Sequence, residues 1–132
     1  MKDGLWDDMA SYYDKSVEDN QDPLISRYLD AEIEILYKLC RNICQSNKNC
    51  SIIDMGAGTG RVIFALDKIL QKDSVEFVGV DVSEPMIRRA NQKKESHHGN
   101  PNNIKFLQQD LTDSKLSDHF NSERINIVMC LY

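Results

Sequence analysis

The sequence predicts an α/β fold in which a parallel sheet carries helices on its faces. From residue 51 onward, short apolar segments alternate with segments of helical periodicity, which is the pattern of βαβ units. A glycine-rich segment at residues 56–60 separates the first of these strands from the first of these helices. The length of 132 residues, of which 41% are hydrophobic, is typical of one domain with its own core.

Two helices are predicted before the sheet begins. Residues 5–19 place apolar side chains three to four positions apart, which predicts a short amphipathic helix. Asp22 is a favoured N-cap residue type, and Pro23 suits the first turn of the helix that follows. Apolar positions then keep a helical period for about five turns, to residue 43.

The remaining elements alternate between strands and helices. Four segments are short, apolar and rich in β-branched residues, as buried strands are: 51–55, 75–80, 104–109 and 125–131. Helices are predicted at 61–70, from the N-cap Ser83 to about residue 94, and weakly at 113–120. This order predicts right-handed βαβ crossovers.

The charge of the chain argues against one class of function, nucleic-acid binding. The chain has 16 basic and 21 acidic residues, a net charge of −5, which argues against a nucleic-acid-binding module because such modules need a basic surface. Ten of the acidic residues, but three of the basic ones, lie within residues 1–34. This acidic segment is interpreted as a solvated helix face or, alternatively, as a lid over a cationic ligand.

The cysteines and histidines do not form a recognisable metal site. Cys40 and Cys44 lie four residues apart, but no second pair and no nearby histidine completes a set of zinc ligands. We therefore predict no metal site. The three histidines, at 97, 98 and 119, are predicted to lie at the surface in contact with solvent.

The glycine-rich segment is the most informative feature of the sequence. Its glycines fall at 56, 58 and 60 and are followed by Arg61. A P-loop would require Lys and Ser or Thr after the last glycine, so this loop is not a P-loop. The dinucleotide fingerprint has the spacing Gly-x-Gly-x-x-Gly, which differs from the spacing Gly-x-Gly-x-Gly found here. Asp54, two residues before the loop, would repel a pyrophosphate but suits a ligand that carries an ammonium group.

Three strands in succession carry an aspartate at or near the end where ligands bind in open α/β sheets. These are Asp54, Asp81 and Asp110. A carboxylate at Asp81 can accept hydrogen bonds from both hydroxyls of a ribose, and one at Asp110 can accept a hydrogen bond from an exocyclic amine such as that of adenine. An aspartate at a strand end is also often a helix cap, but the three together with the glycine loop favour a nucleoside site.

With these motifs, the segment 51–131 resembles the cofactor-binding half of a class I S-adenosylmethionine-dependent methyltransferase. Residues 54–60, Asp-Met-Gly-Ala-Gly-Thr-Gly, match the first motif of that family. Val80-Asp81-Val82-Ser83 matches its second motif, and Gln109-Asp110-Leu111 its third. The resemblance implies a Rossmann-like, three-layer α/β/α fold and S-adenosylmethionine as cofactor, with S-adenosylhomocysteine as product.

The resemblance also implies a role for individual residues. Gly56, Ala57 and Gly58 would line the methionine part of the cofactor, and Asp54 would lie close to its amine. Asp81 would hold the ribose hydroxyls. The remaining implied contacts are with the adenine ring and the methionine moiety: Val82, Met86, Asp110, Leu111 and Cys130.

The N-terminal segment extends the resemblance. Residues 6–14, Trp-Asp-Asp-Met-Ala-Ser-Tyr-Tyr-Asp, resemble the opening of small-molecule methyltransferases, in which this segment covers the cofactor. Tyr13 is the candidate for closing the pocket. We therefore expect a helical cap at residues 1–50 and a cofactor-binding half at 51–132.

The family's sheet has seven strands, of which the sequence predicts the first four. We therefore expect the chain to be an inactive fragment of a cytoplasmic methyltransferase, with no membrane partner and with an unidentified small-molecule acceptor and unassigned catalytic residues. Pairing of two chains through the exposed fourth strand, giving a homodimer, is the alternative. Two other functions stay open: an NAD(P)-dependent oxidoreductase of the Rossmann type and a non-catalytic partner-binding module.

Overall fold

Two helices form the N-terminal part of the molecule. The computed structural model describes residues 3–70 and 74–131, with the backbone alone at 3–7 and 18. Helix α1 spans Asp3–Tyr13 and continues into a π-helical turn, Asp14–Glu18, and helix α2 spans Pro23–Ser46. Asp22 caps α2 by accepting a hydrogen bond from the backbone N–H of Leu24. The first predicted helix is therefore present, but its hydrogen-bonding pattern changes at Asp14.

Four strands form one parallel sheet in the order β3-β2-β1-β4. The strands are β1 (Cys50–Met55), β2 (Val75–Asp81), β3 (Ile104–Gln108) and β4 (Ile125–Met129). Because all strands are parallel, their carboxyl ends meet at one edge of the sheet. The predicted fold class and the predicted positions of all four strands are confirmed, although β4 ends two residues before the predicted position.

Helices α3 (Arg61–Leu70) and α4 (Glu84–Glu95) connect the first three strands. The connection between β3 and β4 contains a short 3-10 helix, Leu116–His119, so the helix predicted at 113–120 is present only in part and is not an α-helix. Asp110 and Asp113 each accept a hydrogen bond from the backbone N–H two residues further on. Such side-chain turns compete with the backbone hydrogen bonds of a helix.

The core lies mainly between the sheet and one layer of helices. Buried side chains of α2, α3 and α4, among them Cys40, Ile63 and Ala90, pack against that face of the sheet. On the other face, the segment between β3 and β4 places Leu116 and Phe120 against apolar side chains of β1 and β2.

One of the three histidines, His97, is buried, so its predicted location at the surface is wrong. The side chain of His97 is 3% exposed, and its Nε2 lies 2.6 Å from a carboxylate oxygen of Asp67. Its ring packs against Phe64, with 4.9 Å between the ring centroids. The turn after α4 folds back onto α3, and Asn100 donates its backbone N–H to the same Asp67 oxygen at 2.8 Å. His98 and His119 are exposed, as predicted.

Strand β4 is an edge strand within the part of the chain that the structure describes. It pairs with β1 alone, and the side chains of Ile125 and Val128 are exposed. Homodimer formation through this edge stays a prediction. Among the described residues, no helix combines the length and the apolar composition that crossing a membrane requires.

Candidate functional site

The loop between β1 and α3 adopts a conformation that requires glycine. Gly56, Gly58 and Gly60 have φ angles of +88°, +54° and +85°, which lie in the left-handed region that other residues rarely adopt. The backbone N–H groups of Gly56 and Ala57 donate to the carbonyl of Val80, at 2.8 and 2.9 Å. The loop is thereby fixed to the carboxyl end of β2.

Asp81 at the end of β2 braces the same loop. Its Oδ2 accepts the backbone N–H of Gly58 at 2.8 Å, and its Oδ1 accepts that of Ser83 at 2.9 Å. The carboxylate is partly exposed, and each of its oxygens has capacity for a further hydrogen bond. The residue predicted to bind ribose hydroxyls therefore also holds the glycine loop in place.

Asp54, the second-last residue of β1, is buried, and its carboxylate lacks a full set of hydrogen bonds. The residue is 3% exposed, and its Oδ1 has no hydrogen-bond partner among the described residues. Burial raises the pKa of this carboxyl to about 6, an effect that the positive charge of Arg61 opposes and the negative charges of Asp81 and Glu32 reinforce. An unsatisfied buried acceptor is costly, so its presence at a sheet edge indicates a place for a hydrogen-bond donor.

Asp54 faces a small cavity under the glycine loop. The cavity has a volume of about 120 Å³. Its lining comes from the N-terminal segment, the loop, α3, α4 and the end of the chain: Tyr13, Asp54, Gly56, Ala57, Gly58, Arg61, Val62, Met86 and Leu131. Six of the eleven residues predicted for the site are thus brought together around one space.

Arg61 brings a positive charge to this cavity. Its guanidinium forms a 2.5 Å ion pair with Glu32 of α2 and hydrogen-bonds to Tyr13. Burial alone would lower the pKa of Arg61, but Glu32 and Tyr13 together hold it above its usual value. Its Nε is buried and has no partner among the described residues. Two of the residues that line the cavity therefore each carry a buried polar atom without a partner, an acceptor on Asp54 and a donor on Arg61.

Other predicted site residues lie along the sheet edge outside this cavity. Val82, Leu111 and Cys130 are exposed. Asp110 is also exposed, and its Oδ1 accepts the backbone N–H and the hydroxyl of Thr112, which holds the pKa of its carboxyl below the usual value. Their roles toward a ligand stay predictions.

Three residues of the cavity, and one buried pair beside the glycine loop, were not predicted from the sequence. Arg61, Val62 and Leu131 line the cavity, and Asp14 and Thr59 are buried and hydrogen-bonded to each other. The position of Arg61 directly after the last glycine was a usable signal, because the first residue of a helix that follows a ligand loop lies beside the ligand. Nothing in the local sequence marks the pairing of Asp14 with Thr59.

Comparison with solved structures shows the fold. The structure is similar to a carbon methyltransferase, CurJ (TM-score 0.59, 17% identity, covering 74% of this chain and 26% of that one), and to YcgJ of Bacillus subtilis (TM-score 0.57, 20% identity, 78% and 38%). A methyltransferase of Thiobacillus denitrificans in complex with S-adenosyl-L-homocysteine has a TM-score of 0.52 at 16% identity, covering 76% and 36%. The predicted Rossmann-like methyltransferase fold is confirmed.

The curated relatives are longer than this chain. Carboxy-S-adenosyl-L-methionine synthase of Desulfotalea psychrophila is 28% identical over 108 residues, which cover 82% of this chain and 38% of the relative. The enzymes of the same name from Helicobacter pylori (strain J99) and Nautilia profundicola are 28% and 31% identical, covering 89% and 83% of this chain and 51% and 44% of theirs. The chain thus spans about half of their length or less.

A family model assigns most of the chain to one protein family. The model described as "Methyltransferase domain" matches residues 46–132, which is more than half of the chain and includes every strand and the glycine loop. The predicted resemblance to methyltransferases is confirmed by this match. The chain belongs to the methyltransferase domain family.

Proposed function

We propose that this chain forms the cofactor-binding part of an S-adenosylmethionine-dependent methyltransferase. The observation that carries the proposal is that two residues lining one cavity, Asp54 and Arg61, each have a buried polar atom, Oδ1 and Nε, without a hydrogen-bond partner among the described residues. An acceptor and a donor that are both buried match an ammonium and a carboxylate, the two charged groups of a free amino acid. S-adenosylmethionine carries such a group on a nucleoside.

The neighbouring strand end supports the nucleoside half of this ligand. Asp81 lies partly exposed beside the loop, where ribose hydroxyls would donate to its carboxylate. Val82 and Met86 would flank the adenine ring, and Asp110 and Leu111 would bind its polar edge. Gly56–Gly58 present backbone close to the ligand because no Cβ intervenes.

The chain's contribution to the reaction is binding and orientation. S-adenosylmethionine supplies an electrophilic methyl group on a sulfonium centre. Asp54 and Arg61 would fix the amino-acid end and Asp81 the ribose, so that the sulfonium between them is held in one orientation. Tyr13 would close the cavity, and an aromatic ring near a cation is favourable. We assign no catalytic residue, because alignment of the two reactants supplies much of the acceleration in such transfers.

The acceptor is proposed to be a small molecule. The net charge of −5 supports this, since an acidic protein does not attract the phosphates of a nucleic acid. A second candidate is the formation of a carboxylated S-adenosylmethionine, because the matched curated relatives carry the name of that synthase. Both reactions use the same bound ligand, and mass spectrometry of the products distinguishes them.

Calorimetry with two ligands tests the binding site. S-adenosylhomocysteine has the amino-acid group, and 5′-methylthioadenosine lacks it. Asp54→Asn and Arg61→Gln should each weaken S-adenosylhomocysteine binding by about 10- to 100-fold, the effect of losing one hydrogen bond between charged groups, and leave 5′-methylthioadenosine unaffected. Asp81→Asn should weaken the binding of both ligands.

Three results would contradict the proposal. One is the absence of S-adenosylhomocysteine binding at millimolar ligand. Another is an equal loss of affinity for S-adenosylhomocysteine and 5′-methylthioadenosine in Asp54→Asn. The third is saturable binding of NADH in a fluorescence titration, with none of S-adenosylhomocysteine, which would favour the oxidoreductase instead. Asp118→Asn, a change of an exposed acid, is the matched control.

A further inference from the structure

Three aspartates are buried among the described residues, and the ligand cavity does not account for Asp14. Asp54 lines the cavity, and Asp67 bonds to the turn that follows α4. Asp14 belongs to the N-terminal segment, and its side chain is 7% exposed. Its charged and hydroxyl partners all come from other parts of the chain.

The carboxylate of Asp14 connects three elements. Thr59 donates its hydroxyl to Oδ1 at 2.6 Å, and Arg89 donates Nε–H to Oδ2 at 2.7 Å. Lys93 Nζ lies 3.5 Å from Oδ1 and 3.3 Å from the Thr59 hydroxyl oxygen. Thr59 is a fully buried residue of the glycine loop, and Arg89 and Lys93 belong to α4. One side chain thus joins the N-terminal segment to the loop and to α4.

These partners keep the carboxylate charged. Burial by itself would raise the pKa of Asp14, but the hydrogen bonds from Thr59 and Arg89 and the positive charge of Lys93 outweigh it and lower the pKa below its usual value. A buried carboxylate that loses its partners is strongly unfavourable. The N-terminal segment therefore has a strong preference for the position in which these bonds form.

The position of Asp14 in the chain connects this cluster to the ligand cavity. Tyr13, its direct neighbour, lines the cavity and hydrogen-bonds to Arg61. The helix changes from α to π geometry at Asp14, and such turns are frequent at functional sites. Whatever fixes the backbone of Asp14 also fixes Tyr13 beside the cavity.

We propose that Asp14 is a positioning residue that clamps the N-terminal segment onto the glycine loop, so that ligand binding and docking of this segment stabilise each other. The inference rests on the proposed function, because it takes S-adenosylhomocysteine as a ligand of the cavity. Coupling of this kind is reciprocal: the docked segment raises the affinity for the ligand, and the ligand holds the segment in place. The acid acts on the protein's own cations rather than on the ligand.

Two variants of the full chain and a control test the clamp. Asp14→Asn removes the charge, Arg89→Gln removes one partner whose side chain is 45% exposed, and Asp8→Asn changes an exposed acid of α1. We expect the Kd for S-adenosylhomocysteine, measured by calorimetry, to rise about 10-fold in Asp14→Asn and about 3-fold in Arg89→Gln. Asp8→Asn should stay within about 2-fold.

Hydrogen exchange distinguishes positioning from a general loss of structure. In the wild-type chain S-adenosylhomocysteine should slow exchange of the amides at residues 8–18. In Asp14→Asn that protection should be lost while exchange in β1 and β2 stays as in wild type. The double variant Asp14→Asn/Arg89→Gln should bind no more weakly than Asp14→Asn alone, because the two groups act as one unit.

The outcomes separate the two proposals. A wild-type chain that does not bind S-adenosylhomocysteine overturns the proposed function and the coupling with it. A wild-type chain that binds, together with an unchanged Kd in Asp14→Asn and no ligand-dependent protection of residues 8–18, overturns the clamp alone. If Asp14→Asn does not fold, the Arg89→Gln result decides: an unchanged Kd overturns the clamp, and a raised Kd supports it.

Discussion

Replacing Asp54 with asparagine should make the unliganded chain more stable at neutral pH, although it removes a group that we propose binds the ligand. The side chain is 3% exposed, and its Oδ1 has no partner among the described residues. Ionisation therefore occurs in a poorly solvated place. Asparagine has nearly the same shape and carries no charge, so it avoids this cost.

The size of the effect follows from the pKa. Burial raises the pKa of Asp54 from 3.8 to about 6, so the folded chain binds this proton more tightly than the unfolded chain does. The stabilisation from the bound proton is complete below about pH 4 and is lost as the pH rises through 6. Compared with a protein whose residue 54 stays uncharged, the wild type is therefore less stable by about 3 kcal/mol at pH 7.5 and by about 1.5 kcal/mol at pH 5.

Urea unfolding followed by circular dichroism measures this difference. We expect Asp54→Asn to raise the free energy of unfolding by about 3 kcal/mol at pH 7.5 and by about half of that at pH 5. Asp118→Asn, which changes an exposed acid, should show neither effect. A loss of stability at pH 7.5, or a gain that is the same at both pH values, would refute the assignment of Asp54 as an unfavourably buried carboxylate.

A pH series and two pairs of substitutions test ligand binding at Asp54 and the packing of two other parts of the molecule. Because a bound ammonium favours the ionised form of Asp54, whose pKa is about 6, S-adenosylhomocysteine should bind about 10-fold more weakly at pH 5 than at pH 7 by calorimetry; a constant Kd contradicts this. Gly60→Ala combines a φ of +85° with a Cβ 2.7 Å from an aromatic ring and should lower the free energy of unfolding by about 3 kcal/mol. Gly58→Ala, with a φ of +54° and no neighbour within 4 Å, should cost about 1 kcal/mol, so equal losses would contradict the packing argument. His97→Ala leaves a buried carboxylate without its ring partner and should cost about 3 kcal/mol in urea unfolding, whereas His98→Ala should stay within about 0.5 kcal/mol.

The sheet and its glycine loop could be predicted because their signals are local. A buried strand is read from a few consecutive apolar residues, and a loop that needs positive φ angles is read from its glycines. The position of Asp81 beside the loop follows in turn from the parallel arrangement, since β1 and β2 end at the same edge. Tyr13 and Met86, which line the cavity, were expected at the site from the family resemblance alone.

The remaining features depend on contacts between distant residues. Asp14 and Arg89 are 75 residues apart, and an acid in an acidic segment gives no sign of which cation it meets. His97 lies in a polar stretch that is typical of the surface, yet the turn after α4 buries it against Asp67. The helix expected at 113–120 is shortened to a 3-10 helix at Leu116–His119 for a local reason, because aspartate side chains hold the preceding backbone in turns.

The two aspartates beside the glycine loop, Asp54 and Asp81, differ in burial and in hydrogen bonding, and this gives them different roles toward a ligand. Asp81 is partly exposed, and both of its oxygens accept backbone N–H groups of the chain itself, so its charge is already stabilised without a ligand. Asp54 is buried, and only the neighbouring charge of Arg61 favours its ionised form. A ligand ammonium would therefore gain more by reaching Asp54, because it relieves an existing electrostatic cost. It follows that a ligand without an ammonium group should lose this gain and should bind with the same affinity at pH 5 and pH 7, which calorimetry with 5′-methylthioadenosine can check.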